Sequence, residues 1–208
     1  MDDADIAPFL VRDADQLAAV GQLRYRLFIE RDGKPYPFAD HLSRSFLEPI
    51  DEISLNFAVA DGGACLAGVR LTRAVDAVGD PQLKAMLDHA GVVPADLPTI
   101  AVNSRMVVAE TGRARILIPR LFRQIYRAGG IAGMKSCLAC SRSSGTALFE
   151  RFGFVRVGAF HDAVAGDLVV LRLNATDAQH LQATSSPFLT VYKELFEERA
   201  VPAVEAVS

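Results

Sequence analysis

Three arginines stand where water is expected to be scarce. Arg70 and Arg105 fall inside apolar runs that read as strands, and Arg24 sits on an apolar helix beside Leu23 and Leu27. A guanidinium buried without a partner is expensive, so each needs a carboxylate, with Asp51 and Glu52 the candidates, or an anionic ligand. Two compatible readings follow: an ion-pair network tying the N-terminal helix to the sheet, or a site for a ligand's carboxylate. A second set of residues can take a proton from an amine, directly or through a water: Glu110, His161, Glu52 and Asp51. Against this, a carboxylate at a helix start such as Glu110 is stabilised by the helix dipole, and His161 reads as an exposed loop residue.

Arg113, Arg115, Arg120, Arg123 and Arg127 share one helical stretch. Positions 113, 120 and 127 recur at seven-residue spacing, with 123 close by, which draws a basic stripe. The stripe fits an acidic partner surface, with a phosphate at Arg113 or Arg115; it fits a solvated face equally well. Cys137 and Cys140 have CxxC spacing, but on a strand such positions point to opposite faces. With Cys65 the cysteines number three, so buried, inert thiols are expected rather than disulfides. His41, His89, His161 and His180 are scattered, and no metal site is expected.

These residues need elements to hold them. Leu17, Val20, Leu23, Leu27 and Phe28 recur at helical spacing, predicting a helix over 14–31 that Asp32-Gly33-Lys34-Pro35 breaks. Ile53–Ala60 and Cys65–Arg73, joined by Asp61-Gly62-Gly63, predict a hairpin. A short helix around Pro81–Ala90 and a strand over Thr99–Val108 follow. An Arg-rich helix is expected over Arg113–Ala128, ended by Gly129-Gly130. Pro119 should place its regular start near Ile116–Ile118, or kink it. Ser136–Ser141 reads as a strand, and Ser143/Ser144 as the cap of a helix ending near Phe152. Gly153–Val157 leads into a last strand pair ending with Leu168–Asn174. Phe188, Leu189, Tyr192, Leu195 and Phe196 fall on one side of a helix over Pro187–Arg199, suited to packing on the body, to a dimer contact or to covering a bound apolar ligand; the end beyond it should fray. The order implies an α/β fold with a mixed sheet. Residues 1–175 read as one domain and 176–208 as a helical extension.

Composition bounds the function. The chain has 208 residues, half of them hydrophobic, and a mean hydropathy of +0.21, enough for a core and against disorder. A net charge of −3 gives no case for nucleic acid. No apolar run approaches the roughly 18–20 residues of a membrane span. Met1-Asp2-Asp3-Ala4-Asp5 lacks the basic-then-apolar order of a signal peptide, so a cytoplasmic protein is expected. Of 22 basic residues all but four are Arg, the better planar partner for phosphate and carboxylate, although genome base composition produces the same bias.

Two stretches resemble the GNAT acyltransferase superfamily. Thr146–Phe154 is similar to that family's late helix ending in Gly-Phe. The Thr99–Val108 strand, followed by a Gly/Arg turn and a helix, is similar to the place where the family splays two central strands around a pantetheine arm. Arg24-Tyr25-Arg26 with Phe28 and Glu30, Asp51-Glu52, Gly68-Val69-Arg70-Leu71, and Ser104-Arg105-Met106-Val107-Val108 resemble the acyl-homoserine lactone synthases and N-acyl amino acid synthases. The resemblance spans about residues 15–175. It implies a mixed, mostly antiparallel central sheet with splayed central strands, flanked by helices. It also implies an N-acyltransferase that moves an acyl group from an acyl-carrier-protein or acyl-CoA thioester to the amine of a small, amino-acid-like acceptor by direct attack.

On this resemblance no cofactor is permanently bound; acyl-phosphopantetheine or acyl-CoA arrives as co-substrate. Acyl carrier protein is a candidate partner and a dimer is compatible. Glu110, Asp51, Glu52 and Arg105 take the catalytic roles. Met106, Val107, Val108, Gly112, Arg113, Ala114 and Arg115 hold the donor, with a backbone N–H near Met106–Val108 meeting the thioester oxyanion. Arg24, Phe28, Arg70, Ser104 and Cys140 contact the substrate. Three departures stand out. Arg113-Ala114-Arg115-Ile116-Leu117-Ile118 puts Ile where the pyrophosphate loop has glycines, Phe149 replaces a common catalytic Tyr, and Val102 replaces a Glu of the lactone synthases. Homoserine lactone chemistry is therefore not expected in the same form. The missing Tyr is tolerable, because a thiol with a pKa near ~8.5 leaves without an acid. Two alternatives remain: a lapsed module that binds an acyl thioester or a protein partner, and an acetyl-CoA acetyltransferase whose short pocket is closed by Phe57 or Met106. An open cleft beside Ser136–Ser141 with a polar mouth marks an enzyme, and a plugged cleft marks the lapsed module.

Overall fold

A computed structural model describes residues 6–197. The end of the expected tail helix, from Glu198, and the expected frayed end lie outside the described residues. The strands are β1 (Phe9–Leu10), β2 (Ala39–Asp40), β3 (Ser45–Phe46), β4 (Leu55–Asp61), β5 (Ala64–Arg73), β6 (Ile100–Val108), β7 (Ser136–Ser141), β8 (Val155–Asp162) and β9 (Gly166–Asn174). The helices are α1 (Ala14–Arg24), α2 (Ala74–Ala77), α3 (Pro81–His89), α4 (Gly112–Ile131), α5 (Thr146–Glu150), α6 (Ala178–Ala183) and α7 (Leu189–Tyr192). Seven strands form one sheet in the order β1-β4-β5-β6-β7-β9-β8, while β2 and β3 form a separate small hairpin. Among the described residues β6 and β7 are the parallel pair of the large sheet, joined by α4 as the crossover.

Strand alternation decides what covers each face. Phe57, Val59, Val69, Leu71 and Ala101 point at Leu117, Leu121 and Ile125 of α4. On the opposite face Ala58 and Val107 meet Val20, Leu23 and Leu27 of the first helix, and Ile100, Val102 and Leu138 meet Leu83, Met86 and Leu87 of α3. Gly68 of β5 lets α1 approach closely: an added Cβ would lie 3.3 Å from Val20 Cγ1.

Several elements depart from expectation. The first helix is α-helical only to Arg24; Tyr25–Arg31 continues as a π-helix, a rare form that shifts the facing of every following side chain. Gly129 and Gly130 do not end α4. They lie inside it, where Gly130 packs against Leu195 and Phe196, and the helix runs to Ile131. Nor does Pro119 delay its start: Thr111 caps the helix by accepting from the Ala114 N–H, and Pro119 lies within. Leu181, Phe188, Val191 and Leu195 share a core cluster with Phe122, Phe152 and Leu171, so the tail helices pack on the body.

Candidate active site

The cleft begins where two parallel strands stop pairing. β6 and β7 are in register from Ile100↔Ser136 to Asn103↔Ala139. Beyond that pair the strands part. β6 also bulges there: on β5 the pairs are Gly68↔Val107 and Arg70↔Ser104, so Arg105 and Met106 together oppose Val69. Arg105 takes φ +51°, a left-handed conformation uncommon outside Gly and typical of functional sites. The extra residue resets the side-chain alternation. Arg105 joins Arg70 and Ser104 on the α1/α3 face, while Met106 and Val108 point back toward α4.

The splay opens a cavity of about 300 Å³. Met106, Val108, Phe122, Leu148, Phe149 and Leu168 give it apolar walls. Asp32, Lys34, Tyr36, Gln82, Arg105 and Arg142 bring polar groups to its lining. Lys34 Nζ donates to the Ala165 carbonyl at 3.4 Å, which links the loop after the first helix to the β8–β9 turn.

Behind the lining lies the arginine network. Arg24 Nη1 donates to both oxygens of Asp51, at 2.8 and 2.9 Å, and Nη2 donates to Asn56 at 2.9 Å. Arg70 Nε donates to Ser104 Oγ at 3.0 Å and Nη1 to Glu48 at 2.9 Å, with Asp51 at 3.4 Å. Arg105 embraces Glu48 with two bonds of 2.6 Å, donates to Gln82 at 2.7 Å, and stacks 4.6 Å over the Tyr36 ring. Arg24 and Arg70 are fully buried. Burial alone would push Glu48 and Asp51 up, but the guanidinium groups around them hold both carboxyls below their ordinary values. Burial opposes the Arg105 charge as well, and Glu48 more than offsets it, so this guanidinium stays firmly protonated. For Arg24, burial wins over Asp51 and lowers the value.

The sequence-named residues therefore separate. Phe28, Ser104, Arg105, Met106, Val108 and Cys140 line the cleft. Arg24, Arg70 and Asp51 stand behind it, held to one another and to Glu48 by ion pairs. Glu52 was assigned to the arginines and is instead exposed; Glu48 fills that place. Glu110 is exposed and pairs with Arg31 at 3.0 Å, and His161 is exposed and bonded to Asp167. Gly112, Arg113, Ala114 and Arg115 form the first turn of α4, with Arg113 paired to Asp61. Val107 points into the α1 face. Arg120 donates to the Ile6 carbonyl and Arg127 pairs with Glu194, so much of the basic stripe is engaged within the fold. Phe57 is buried among α4 contacts, away from the cleft. The cysteines are free, and burial pushes Cys137 and Cys140 up to about 12 and Cys65 to about 11. Among the described residues no His/Cys/Asp/Glu group has metal-holding geometry, and no helix is long and apolar enough to cross a membrane.

Sequence reasoning missed Glu48, Tyr36, Gln82 and Lys34. For Glu48 a signal existed. It precedes Pro49 and lies three residues before Asp51, and the two form a reciprocal capping box around a 3₁₀ turn. Tyr36 and Lys34 belong to a segment read only as a helix breaker.

No family model matches the chain, and no curated protein does. Solved structures do. TofI, solved in a ternary complex with an inhibitor and MTA, is 19% identical and aligns over 88% of this chain and 99% of its own, with a TM-score of 0.67. BjaI, a CoA-dependent acyl-homoserine lactone synthase solved with SAM and isopentyl-CoA, is 16% identical over 88% and 90%, at 0.64. FeeM, an N-acyl amino acid synthase from uncultured soil microbes, is 13% identical over 86% and 96%, at 0.65. At these identities the likeness establishes the fold: a mixed, mostly antiparallel sheet of the GNAT type.

Proposed function

We propose that this chain is an acyltransferase that moves an acyl group from a pantetheine thioester, borne by acyl carrier protein or coenzyme A, to the amine of a small, amino-acid-like acceptor. The observation that carries this reading is the cleft itself. The β6–β7 splay is open and is lined by both apolar and polar side chains, which is what an acyl thioester and a charged acceptor require together. A lapsed binding module predicts a plugged splay. The folds of TofI, BjaI and FeeM support the same reading.

The acceptor nitrogen attacks the thioester carbonyl, the C–N bond forms, and the C–S bond breaks with the thiolate leaving. The oxyanion formed on the way is met by a backbone N–H of the bulge, with Met106 the donor. Glu48, Arg70 and Arg105 fix that bulge in place. At the mouth Lys34 and Arg142 suit an acceptor carboxylate, and Asp32 an ammonium group. Asp32 is itself held below its ordinary value by its bond from Arg31. Asp51 is saturated, and Glu52 and Glu110 lie outside the lining, so the amine proton leaves to solvent. In this reading α4's first turn, Gly112–Arg115, meets the donor's phosphate.

The test pairs the purified protein with matched acyl-CoA and acyl-carrier-protein thioesters, each with pooled amines, and follows acyl-amine mass and free thiol. Product from either donor is expected. No product from either, with thioester binding intact, moves the assignment to the binding module.

A further inference from the structure

Arg26 belongs to the Arg24-Tyr25-Arg26 motif, yet neither the cleft nor the buried network uses it. It lies exposed on the π-helix, and among the described residues its side chain makes no hydrogen bond or ion pair. Beside it opens a cavity of about 360 Å³ that shares no lining residue with the cleft. Three elements wall this cavity. The first helix gives Gln22 and Arg26, the β2–β3 hairpin gives Ser43 and Arg44, and the β4–β5 turn gives Gly63 and Ala64.

The charge of the cavity is one-sided. Two guanidinium groups line it from different walls and no carboxylate does, in a chain whose net charge is −3. Arg44 Nη2 donates to Glu30, which lies outside the lining, and its other two nitrogens have no bond among the described residues. Arg44 also takes φ +52°, a left-handed conformation uncommon outside Gly. The turn before it is fixed, because Asp40 accepts from the Leu42 and Ser43 N–H groups at 2.9 and 3.2 Å. Two like charges sharing a cavity repel, and an anion between them replaces that repulsion with two attractions. A dianionic phosphate offers enough oxygens for both guanidinium forks, whereas one fork uses up a carboxylate. The small Gly63 and Ala64 leave room beyond the phosphate for an organic body.

We propose that this cavity binds a phosphomonoester, held by Arg26 from the π-helix and Arg44 from the hairpin, and that the ligand fastens these two elements together. They carry Phe28 and Phe46, whose rings pack on Tyr36 of the cleft lining at centroid distances of 5.9 and 4.8 Å. The bound ligand thus braces the aromatic part of the cleft wall. The inference needs no chemistry in the cleft, so it stands or falls apart from the acyl-transfer reading.

Phenyl phosphate and benzoate are titrated into the full chain by calorimetry at fixed ionic strength. Phenyl phosphate should bind about tenfold or more tightly than benzoate, which has the ring and a single charge. Arg26→Gln should weaken phenyl phosphate about tenfold and keep the wild-type Tm, because this exposed side chain has no partner to lose. Arg115→Gln, in the first turn of α4, should leave its Kd unchanged, which separates this cavity from a phosphate held by that helix. Hydrogen exchange over residues 39–46 should slow when phenyl phosphate binds the wild type, and not in Arg26→Gln. Coenzyme A and its 3′-dephospho form identify the source. A difference between their affinities that Arg26→Gln removes makes the phosphate the donor's own, and equal affinities make it a separate small molecule. Benzoate binding as tightly as phenyl phosphate, a phenyl phosphate Kd that Arg26→Gln leaves unchanged, or unaltered exchange in the hairpin overturns the inference.

Discussion

Glu48 carries two arginines. It receives Arg105 through two bonds and Arg70 through one, and it is itself almost wholly buried. Glu48→Gln keeps the shape and removes the charge, leaving those guanidinium groups short of a carboxylate. Breaking a buried pair from one side costs about 3–5 kcal/mol, so the variant should unfold at clearly lower urea than the wild type at pH 7. An unchanged midpoint would show the network to be dispensable. The network also sets a pH dependence. Glu48 and Asp51 are held below their ordinary values in the fold. Their contribution is therefore present above the unfolded carboxyl values, near ~4, and is lost as pH falls through the folded ones. Urea midpoints taken from pH 7 to pH 3 should drop more steeply in the wild type than in Glu48→Gln. The rate has a different dependence. Asp32, the carboxylate in the lining, is held below its ordinary value by Arg31, so it stays ionised across the neutral range and is a poor base. kcat/KM should rise with pH in step with the acceptor's free-amine fraction, and exchanging the acceptor for one of lower pKa should move the whole curve to lower pH. A curve indifferent to the acceptor would point to a base on the enzyme.

Elements fix where these residues can act, and they differ in how openly the sequence declares them. The hairpin β4–β5 and the strands β6 and β7 were legible because apolar runs bounded by Gly and Asp leave little else to form. The bulge was not legible in its position. Met106, Val107 and Val108 are all apolar, so the alternation that would reveal an inserted residue is erased where it matters. The need of Arg24, Arg70 and Arg105 for carboxylates could be read from their apolar surroundings. Which carboxylate answers could not, because Glu48 lies 57 positions from Arg105 and only the closed sheet brings them together. The Gly129-Gly130 stop was misread because glycine serves close packing as well as termination; here the tail's Leu195 fills the space. Gly68 is the parallel case on the other face. It allows Val20 of α1 to lie against β5 opposite the bulge, where Gly68 pairs with Val107. Gly68→Val should lift α1 off the strand and lower stability by roughly 1–3 kcal/mol, read as a fall in Tm, with Gly68→Ala losing less. A Gly68→Val protein as stable as the wild type would mean that α1 has room the structure does not show.

At the scale of the whole molecule, charge and shape bear on how a donor is presented. The protein is acidic overall, yet α4 displays Arg115 and Arg123 on its exposed side, while Arg113, Arg120 and Arg127 are drawn into contacts with Asp61, Ile6 and Glu194. On α4 the outward positive charge outside those contacts thus rests with Arg115 in the first turn and Arg123 about two turns further along the helix. A carrier protein with an acidic helix would feel that charge before docking, and screening weakens such attraction once the Debye length falls to about 8 Å at physiological salt. A bare acyl-pantetheine thioester would share the cleft but not the surface. Raising salt from low to physiological strength should therefore lower kcat/KM severalfold with the carrier-protein thioester and leave the pantetheine thioester nearly unchanged. Arg115→Glu with Arg123→Glu should reproduce the loss at low salt, for the carrier-protein donor alone. These exposed side chains bury no core, so the paired variant should keep its wild-type Tm and the loss will report docking rather than folding. Equal salt dependence for the two donors would remove α4 from recognition and leave its arginines as a solvated face.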